Sequence, residues 1–297
     1  MSVLQVNGLS KNFGKIQALD QVSFEVPQGS VFGILGPNGS GKTTLLGIVT
    51  DVLKATAGNF LWFGRATSAA IRKQIGTLLE TPNFYPYLSG YDNLLLRQKI
   101  HQRGSPKEVQ EVLEVVKLSE RAKSPAKTYS LGMKQRLAIA ASLLGKPQVL
   151  ILDEPTNGLD PVGIVEIRDL ILELRKQNYT IILASHLLDE VEKVCTHTAI
   201  LKQGKLLSYG KVAEILGKGL TIEVASSSLT ELANFLQKKF PQAAIKKENE
   251  VLHLVLESDS IDLASLNQSC FENGIILHHL ALRRKTLETA FLELTEN

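Results

Sequence analysis

The stretch Gly36-Pro37-Asn38-Gly39-Ser40-Gly41-Lys42-Thr43-Thr44 constrains the fold of this chain more than any other. It fits G-x-x-x-x-G-K-[ST], a pattern that works only between a buried strand and a helix. Val31-Phe32-Gly33-Ile34-Leu35 before it is an apolar run of strand length, and Thr44-Leu45-Leu46-Gly47-Ile48-Val49 after it opens a helix. The glycines let successive backbone N–H groups turn inward into an anion-binding concavity, to which the helix N-terminus adds partial positive charge. Lys42 is placed to reach the β- and γ-phosphates of a nucleotide, and Thr43 to offer its hydroxyl to Mg²⁺. A glycine-rich turn that matches by accident is the competing reading, and the flanking strand and helix disfavour it.

At 297 residues, 44% hydrophobic and 21% charged, the chain is long enough for two domains. Its two cysteines, Cys195 and Cys270, lie outside any C-x-x-C pair, which excludes a disulfide framework and a cysteine-rich metal site and fits a reducing compartment. Met1-Ser2-Val3-Leu4-Gln5 lacks the basic-then-apolar pattern of a secretory signal. No apolar segment approaches the ~20 residues of a membrane span, so a soluble protein is expected, one able to sit on a membrane partner. A formal charge of +3, without a run of like charges, gives no basis for a nucleic-acid ligand.

Residues 1–35 read as short strands, Val3 to Val6, Val22 to Val26 and the strand feeding the cradle, with turns at Asn7-Gly8, Phe13-Gly14 and Pro27-Gln28-Gly29. This is an antiparallel β patch leading into a parallel core. Phe13 falls in the loop Lys11-Asn12-Phe13-Gly14, where it either stacks on a nucleotide base or covers the edge of the core. A turn at Ala57-Gly58-Asn59 precedes strands at Phe60 to Phe63 and Ile75 to Leu79. Residues 88–146 then take helical periodicity, in Tyr91 to Arg97, Pro106 to Leu118 and Leu131 to Leu144, and form a helical insert.

Strand and helix alternate again from 147 to 217. Val149-Leu150-Ile151-Leu152 closes on Asp153-Glu154-Pro155, Val162 to Gln177 is an amphipathic helix, and Thr180-Ile181-Ile182-Leu183-Ala184 closes on Ser185-His186. Acidic and imidazole groups therefore stand where buried strands end, the edge at which an open parallel sheet binds ligands. Asp153 has the position of a Mg²⁺-binding aspartate, Glu154 of a carboxylate that polarises the attacking water, and His186 of a donor to the γ-phosphate. Taken singly, a strand-end Asp-Glu pair is equally a helix N-terminal carboxylate pair, and a lone histidine is commonly structural. After a linker at Gly217-Lys218-Gly219, residues 218–297 alternate strand-like and helix-like patterns and read as a small α+β domain. Its His278-His279 pair points to opposite faces of a strand, which disfavours a shared metal.

Order and spacing decide among these readings. Tyr129-Ser130-Leu131-Gly132-Met133-Lys134-Gln135-Arg136 lies between the cradle and Asp153, and Pro155-Thr156-Asn157-Gly158-Leu159-Asp160-Pro161 comes after Glu154. In this order the chain closely resembles the ATP-binding-cassette (ABC) ATPases over about residues 1–215. The resemblance implies an α/β P-loop NTPase domain of the ABC type in residues 1–217, with a parallel core sheet, an antiparallel β subdomain and a helical insert at about 88–146. It makes Phe13 the aromatic of the A-loop, Gly36 to Thr44 Walker A, Asp153 and Glu154 the end of Walker B, Asp160 part of the D-loop and His186 the switch histidine. Ser130 and Gly132 would contact the γ-phosphate from the signature loop.

Two positions depart from the family pattern. Leu131 and Met133 alter the usual L-S-G-G-Q signature, and Glu80 stands where the Q-loop glutamine is usual, as a carboxylate able to touch Mg²⁺. Both departures, and the ending Leu287-Glu288-Thr289-Ala290-Phe291-Leu292, resemble the drug-export and bacitracin or lantibiotic immunity branch. Membership of that family would bring ATP and Mg²⁺ as ligands and a dimer in which the cradle of one subunit faces the signature of the other. It would also bring membrane permease subunits as partners, docked near Thr81 to Asn93, and a peripheral place on the cytoplasmic face of the cell membrane. A nucleotide-gated switch or scaffold is the rival reading, and a membrane-embedded partner discriminates between the two.

Overall fold

In the computed structural model, all residues are described except 80–82, 218–219, 257–260, 285 and 297. They divide into two compact units, Met1–Val212 and Ala213–Asn297. The first is built on a six-stranded sheet. Once β1 (Ser2–Phe13) and β2 (Ile16–Pro27) have formed an outer hairpin, β3 (Val31–Leu35) enters this sheet and leads into α1 (Lys42–Val49). The chain continues through β4 (Ala57–Trp62), α2 (Ala69–Arg72) and β5 (Ile75–Leu78). Beyond the helical insert come β6 (Val149–Asp153), α6 (Pro161–Lys176), β7 (Thr180–Ser185), α7 (Leu188–Val194), β8 (His197–Lys202) and β9 (Lys205–Lys211).

The sheet has the order β5-β6-β7-β3-β8-β9, and all but β9 pair in parallel. Every residue of β3, β6 and β7 is buried, the expected outcome for continuous apolar strands covered on both faces. Ile167, Leu170, Ile171 and Leu174 supply the buried stripe by which α6 covers one face. Sequence patterning did not mark β8 and β9, although Gln203-Gly204 between alternating segments is a hairpin signal.

A three-stranded antiparallel sheet of order β2-β1-β4 flanks the core. Its two long strands run 12 residues each, where the sequence suggested shorter ones broken by turns. Asn7-Gly8 is a bulge rather than a turn: the register shifts between Val6 and Leu9, Gly8 takes φ +57°, and its N–H donates to Ser23 Oγ at 2.7 Å. Ala57-Gly58-Asn59 likewise lies inside β4, because Gly58 lets its backbone approach Gly8 so closely that a Cβ there would stand 2.2 Å from Gly8 O. Phe13 is the last residue of β1, paired with Ile16 across the turn at Gly14-Lys15, not a loop residue.

The helical insert holds α3 (Gly90–His101), α4 (Pro106–Val115) and α5 (Leu131–Leu143), each started by a serine whose Oγ accepts a backbone N–H: Ser89 from Asp92, Ser105 from Glu108 and Ser130 from Met133. Pro106 at the first turn of α4 needs no donor there.

The boundary between the two units falls in α8 (Val212–Leu216). The second unit runs β10 (Leu220–Ser226), α9 (Leu229–Lys239), β11 (Ala244–Glu248), β12 (Val251–Leu256), α10 (Leu263–Glu272), β13 (Leu277–Arg284) and α11 (Leu287–Glu296). Strand order β11-β12-β10-β13, antiparallel throughout, makes it a split βαβ fold. Alternating Ile222, Val224, Leu252, Leu254 and Leu256 meet Leu232, Leu236, Leu266 and Cys270 from α9 and α10. β11, with the sequence AIKKE, shows no apolar alternation because it is a solvent-facing edge. His279 pairs with Glu223 at 3.3 Å while His278 is exposed.

Candidate functional site

Register places the site. Leu35 lies beside Ser185, and Asp153 beside Ala184, so β3, β7 and β6 end within one residue of each other. The loops beyond them, starting at Gly36, His186 and Glu154, emerge side by side at the carboxyl edge of the sheet. The phosphate loop is tight enough to demand its glycines. Gly36 has φ +154° and a Cβ there would meet Leu201 O at 2.3 Å; Gly41 has φ +103° and would meet Ala18 O at 2.6 Å. Gly41 caps α1 without a side-chain bond, leaving the helix N-terminal N–H groups to face the loop.

Lys42, the first residue of α1, is only 6% exposed. Its Nζ donates to Gly36 O at 2.8 Å and Pro37 O at 3.3 Å, and stands 3.5 Å from Glu154 Oε1. Thr43 Oγ1 donates to Asp153 Oδ2 at 3.1 Å. On the other side of Glu154, His186 Nδ1 lies 2.9 Å from its Oε2, within hydrogen-bond distance. Glu154 is held in the left-handed region at φ +47°, with its N–H donating to Ala184 O at 3.0 Å, and strained backbone of this kind clusters at functional sites. The structure thus brings Lys42, Thr43, Asp153, Glu154 and His186 into one cluster.

A cavity of about 460 Å³ opens over this cluster, lined by Asn38, Gly39, Ser40, Gly41, Lys42, Thr43, Thr44 and Glu154 and, on its far wall, by Ile16, Gln17, Ala18 and Gln203. Those last four were not singled out from the sequence, in which only the turn at Phe13-Gly14, before Ile16, is marked. Ser40 Oγ, buried in the loop, has no hydrogen-bond partner among the described residues. Among the described residues no three His, Cys, Asp or Glu side chains form a metal cage. The Thr43 hydroxyl and Asp153 carboxylate are nevertheless hard oxygen donors of the kind that hold Mg²⁺ when a nucleotide's phosphates complete its shell, and to that extent they fit the ion.

Phe13 is 46% exposed with Lys11 Nζ 4.8 Å from its ring centroid, and does not line the cavity or cover the core edge. Ser130, Gly132 and Asp160 gather elsewhere, at the paired N-termini of α5 and α6. Asp160 Oδ1 accepts from Gly163 N at 2.9 Å, and a Cβ on Gly132 would lie 3.9 Å from Gly163 Cα. Glu80 lies outside the described residues.

Comparisons with known proteins agree with this geometry. A family model described as ABC transporter matches residues 19–157, a span that takes in the phosphate loop, Ser130 to Met133 and Asp153-Glu154. The chain is 35% identical over 298 residues to the bacitracin transport ATP-binding protein BcrA of Bacillus licheniformis, covering 99% of this chain and 97% of that one. It is 40% identical over 205 residues to the lantibiotic transport ATP-binding protein SrtF of Streptococcus pyogenes, covering 69% of this chain and 89% of that one. Among solved structures, a dimeric ATP-binding cassette in a post-hydrolysis state bound to ADP and Pi superposes with a TM-score of 0.62 at 26% identity, over 71% of this chain and 99% of that one.

Proposed function

This chain belongs to the ATP-binding-cassette family of transporter ATPases, and on that premise we propose that it is the subunit that binds and hydrolyses ATP to drive a separate membrane permease, in an exporter of the peptide-antibiotic type. One observation carries the chemistry: Lys42, Thr43, Asp153, Glu154 and His186 converge at the ends of three neighbouring strands. Lys42 exchanges the carbonyls of Gly36 and Pro37 for β- and γ-phosphate oxygens, and the loop N–H groups bind the remaining oxygens. Thr43 and Asp153 would hold Mg²⁺, which when bound would supply positive charge against the charge developing in the transition state. Glu154 takes a proton from the water whose oxygen attacks the γ-phosphorus, as the bond to the β-bridging oxygen breaks and ADP and phosphate form. In this reading His186, oriented by the contact of its Nδ1 with Glu154, is the side chain that meets the γ-phosphate.

The family resemblance and the split of the site support a dimer. Ser130, Gly132 and Asp160 are absent from the cavity lining, so in this reading they serve the cradle of a second copy. Around them Leu131 is 42% and Val162 67% exposed, apolar surface suited to such a contact. In this reading the permease docks beside the helical insert, where Tyr85 and Tyr87 are exposed and Arg97 lies over Phe84 at 5.2 Å. An adjoining cavity of about 320 Å³ is lined by Arg72, Arg97, His101 and Arg103, and burial lowers the Arg97 guanidinium from its ordinary value. Aromatic and arginine side chains are the anchors that protein interfaces favour. Among the described residues no helix is long and apolar enough to cross a membrane, so in this reading the permease holds the chain at the cytoplasmic face of the cell membrane. Purification of tagged chain from native membranes tests the proposal: a co-purifying multispanning protein and ATP hydrolysis are expected, and soluble partners alone would overturn the transporter reading.

A further inference from the structure

The β8–β9 hairpin closes through Gln203-Gly204, between the paired residues Lys202 and Lys205. Both central residues are left-handed, with φ +50° and +79°, as a two-residue turn matched to strand twist requires. Asn or Asp commonly takes the first of these positions; here a longer amide occupies it. The turn is fixed to the phosphate loop. Gly204 N donates to Ser40 O at 3.0 Å, Gly204 O accepts from Asp20 N at 2.9 Å, and a Cβ on Gly204 would stand 2.8 Å from Ala18 O. Gln203 is therefore held at a set distance from Lys42 and Thr43, on the wall of their cavity.

The two ends of that cavity differ in chemistry. Cation, hydroxyl and loop N–H groups form the phosphate end, whereas Ile16, Gln17, Ala18 and Gln203 form a wall without charge, in which the two amides can each donate and accept. Such a wall suits the uncharged half of a nucleotide. We propose that Gln203 is a nucleotide-binding residue, whose amide hydrogen-bonds the nucleoside, at a ribose hydroxyl or the base edge, while the phosphates occupy the loop. The inference rests on the reading of the site as an ATP site.

Equilibrium binding to the full chain tests it, with ATP, 2′-deoxy-ATP, inosine triphosphate and inorganic tripolyphosphate as probes. Gln203→Ala and Gln203→Gly, the second of which keeps the left-handed turn without strain, should each weaken ATP about three- to tenfold and leave tripolyphosphate unchanged, the loss expected for one hydrogen bond. Loss of discrimination against 2′-deoxy-ATP in the variants assigns the contact to the ribose, and loss of discrimination against inosine triphosphate assigns it to the base. ATP affinity unchanged in both variants, or ATP and tripolyphosphate weakened alike, would overturn the proposal, the latter because the turn then acts only through the loop. Wild-type protein that binds tripolyphosphate but not ATP would instead overturn the underlying ATP reading, and the proposal with it.

Discussion

Replacing Glu154 by Gln isolates the chemical step from binding. The amide has nearly the volume of the carboxylate, the left-handed backbone at φ +47° is as accessible to Gln as to Glu, and a carbonyl oxygen can still accept from His186. What disappears is the group that takes the proton from water. A positioned general base contributes ~10²- to 10⁴-fold, which is ~2.7–5.4 kcal/mol of barrier. Binding moves the other way. At 3.5 Å the gross attraction between Lys42 and Glu154 is ~5 kcal/mol at an effective dielectric of ~20, partly offset by desolvation of both groups. Its removal leaves Lys42 freer for phosphate and takes one negative charge from beside the nucleotide, so ATP affinity should hold or rise. Single-turnover phosphate release with enzyme in excess, set against equilibrium ATP binding and dimer size with ATP, separates the two effects. The expected result is turnover lost by at least ~10²-fold, ATP retained and a dimer that persists. Turnover within about threefold of wild type would refute Glu154 as the base, since no general base contributes so little.

Phe13→Ala should weaken ATP several-fold, because base stacking on an aromatic is worth ~1–3 kcal/mol, and leave tripolyphosphate binding intact; unchanged ATP affinity would show that the exposed ring has no part in the site. Arg97→Glu, beside the exposed Tyr85 and Tyr87, should abolish co-purification of the membrane partner while the isolated chain still hydrolyses ATP; equal loss of both activities would move Arg97 from docking to folding. Glu223 gives a pH prediction: burial raises its carboxyl, but the bonds from Arg283 at 3.2 Å and His279 at 3.3 Å outweigh this and hold it below its ordinary value. The stabilisation it lends is thus present above the unfolded carboxylate range and lost as pH falls through the lowered folded value. Denaturant unfolding at about pH 7 and about pH 3 should show a wild-type advantage over Glu223→Gln only at the higher pH, and an equal gap at both would refute the assignment.

Legibility followed burial. β3, β6 and β7 are continuous apolar runs because elements packed on both faces of the sheet cover them, so their ends, and with them Asp153, Glu154 and His186, could be located from residue order alone. Where a strand is long, bulged and half covered, as in β1, the glycine that permits the bulge looks like the glycine of a turn, and Gly8 was misplaced for that reason. The uncharged wall of the cavity was hidden differently. Gln17 and Gln203 are ordinary surface amides in the sequence; β2 carries the first to the wall, and the contacts of Gly204 with Ser40 and Asp20 bring the second there. Topology of the second unit depends on β11, whose lysines face solvent and leave no periodic trace.

The departures in the signature acquire a physical setting from the same reasoning. Leu131 stands over the D-loop: its Cδ2 lies 3.3 Å from where a Cβ on Gly158 would be, and Gly158 is left-handed at φ +73°. A side chain at 158 would therefore be both strained and crowded, and its absence is what allows a leucine beside Ser130. Ser130 and Asp160 start α5 and α6 alongside one another, so two positive helix ends lie close together, a placement that repels unless an anion answers it. Asp160 caps α6 and supplies part of that charge, while Ser130 caps α5 with a neutral hydroxyl. In the proposed dimer the remainder would fit a γ-phosphate held in the loop of the second copy, whose exposed apolar surface would meet Leu131 and Val162. In that proposed dimer Leu131 would join the signature loop to the D-loop through packing, where a glycine would rely on backbone approach.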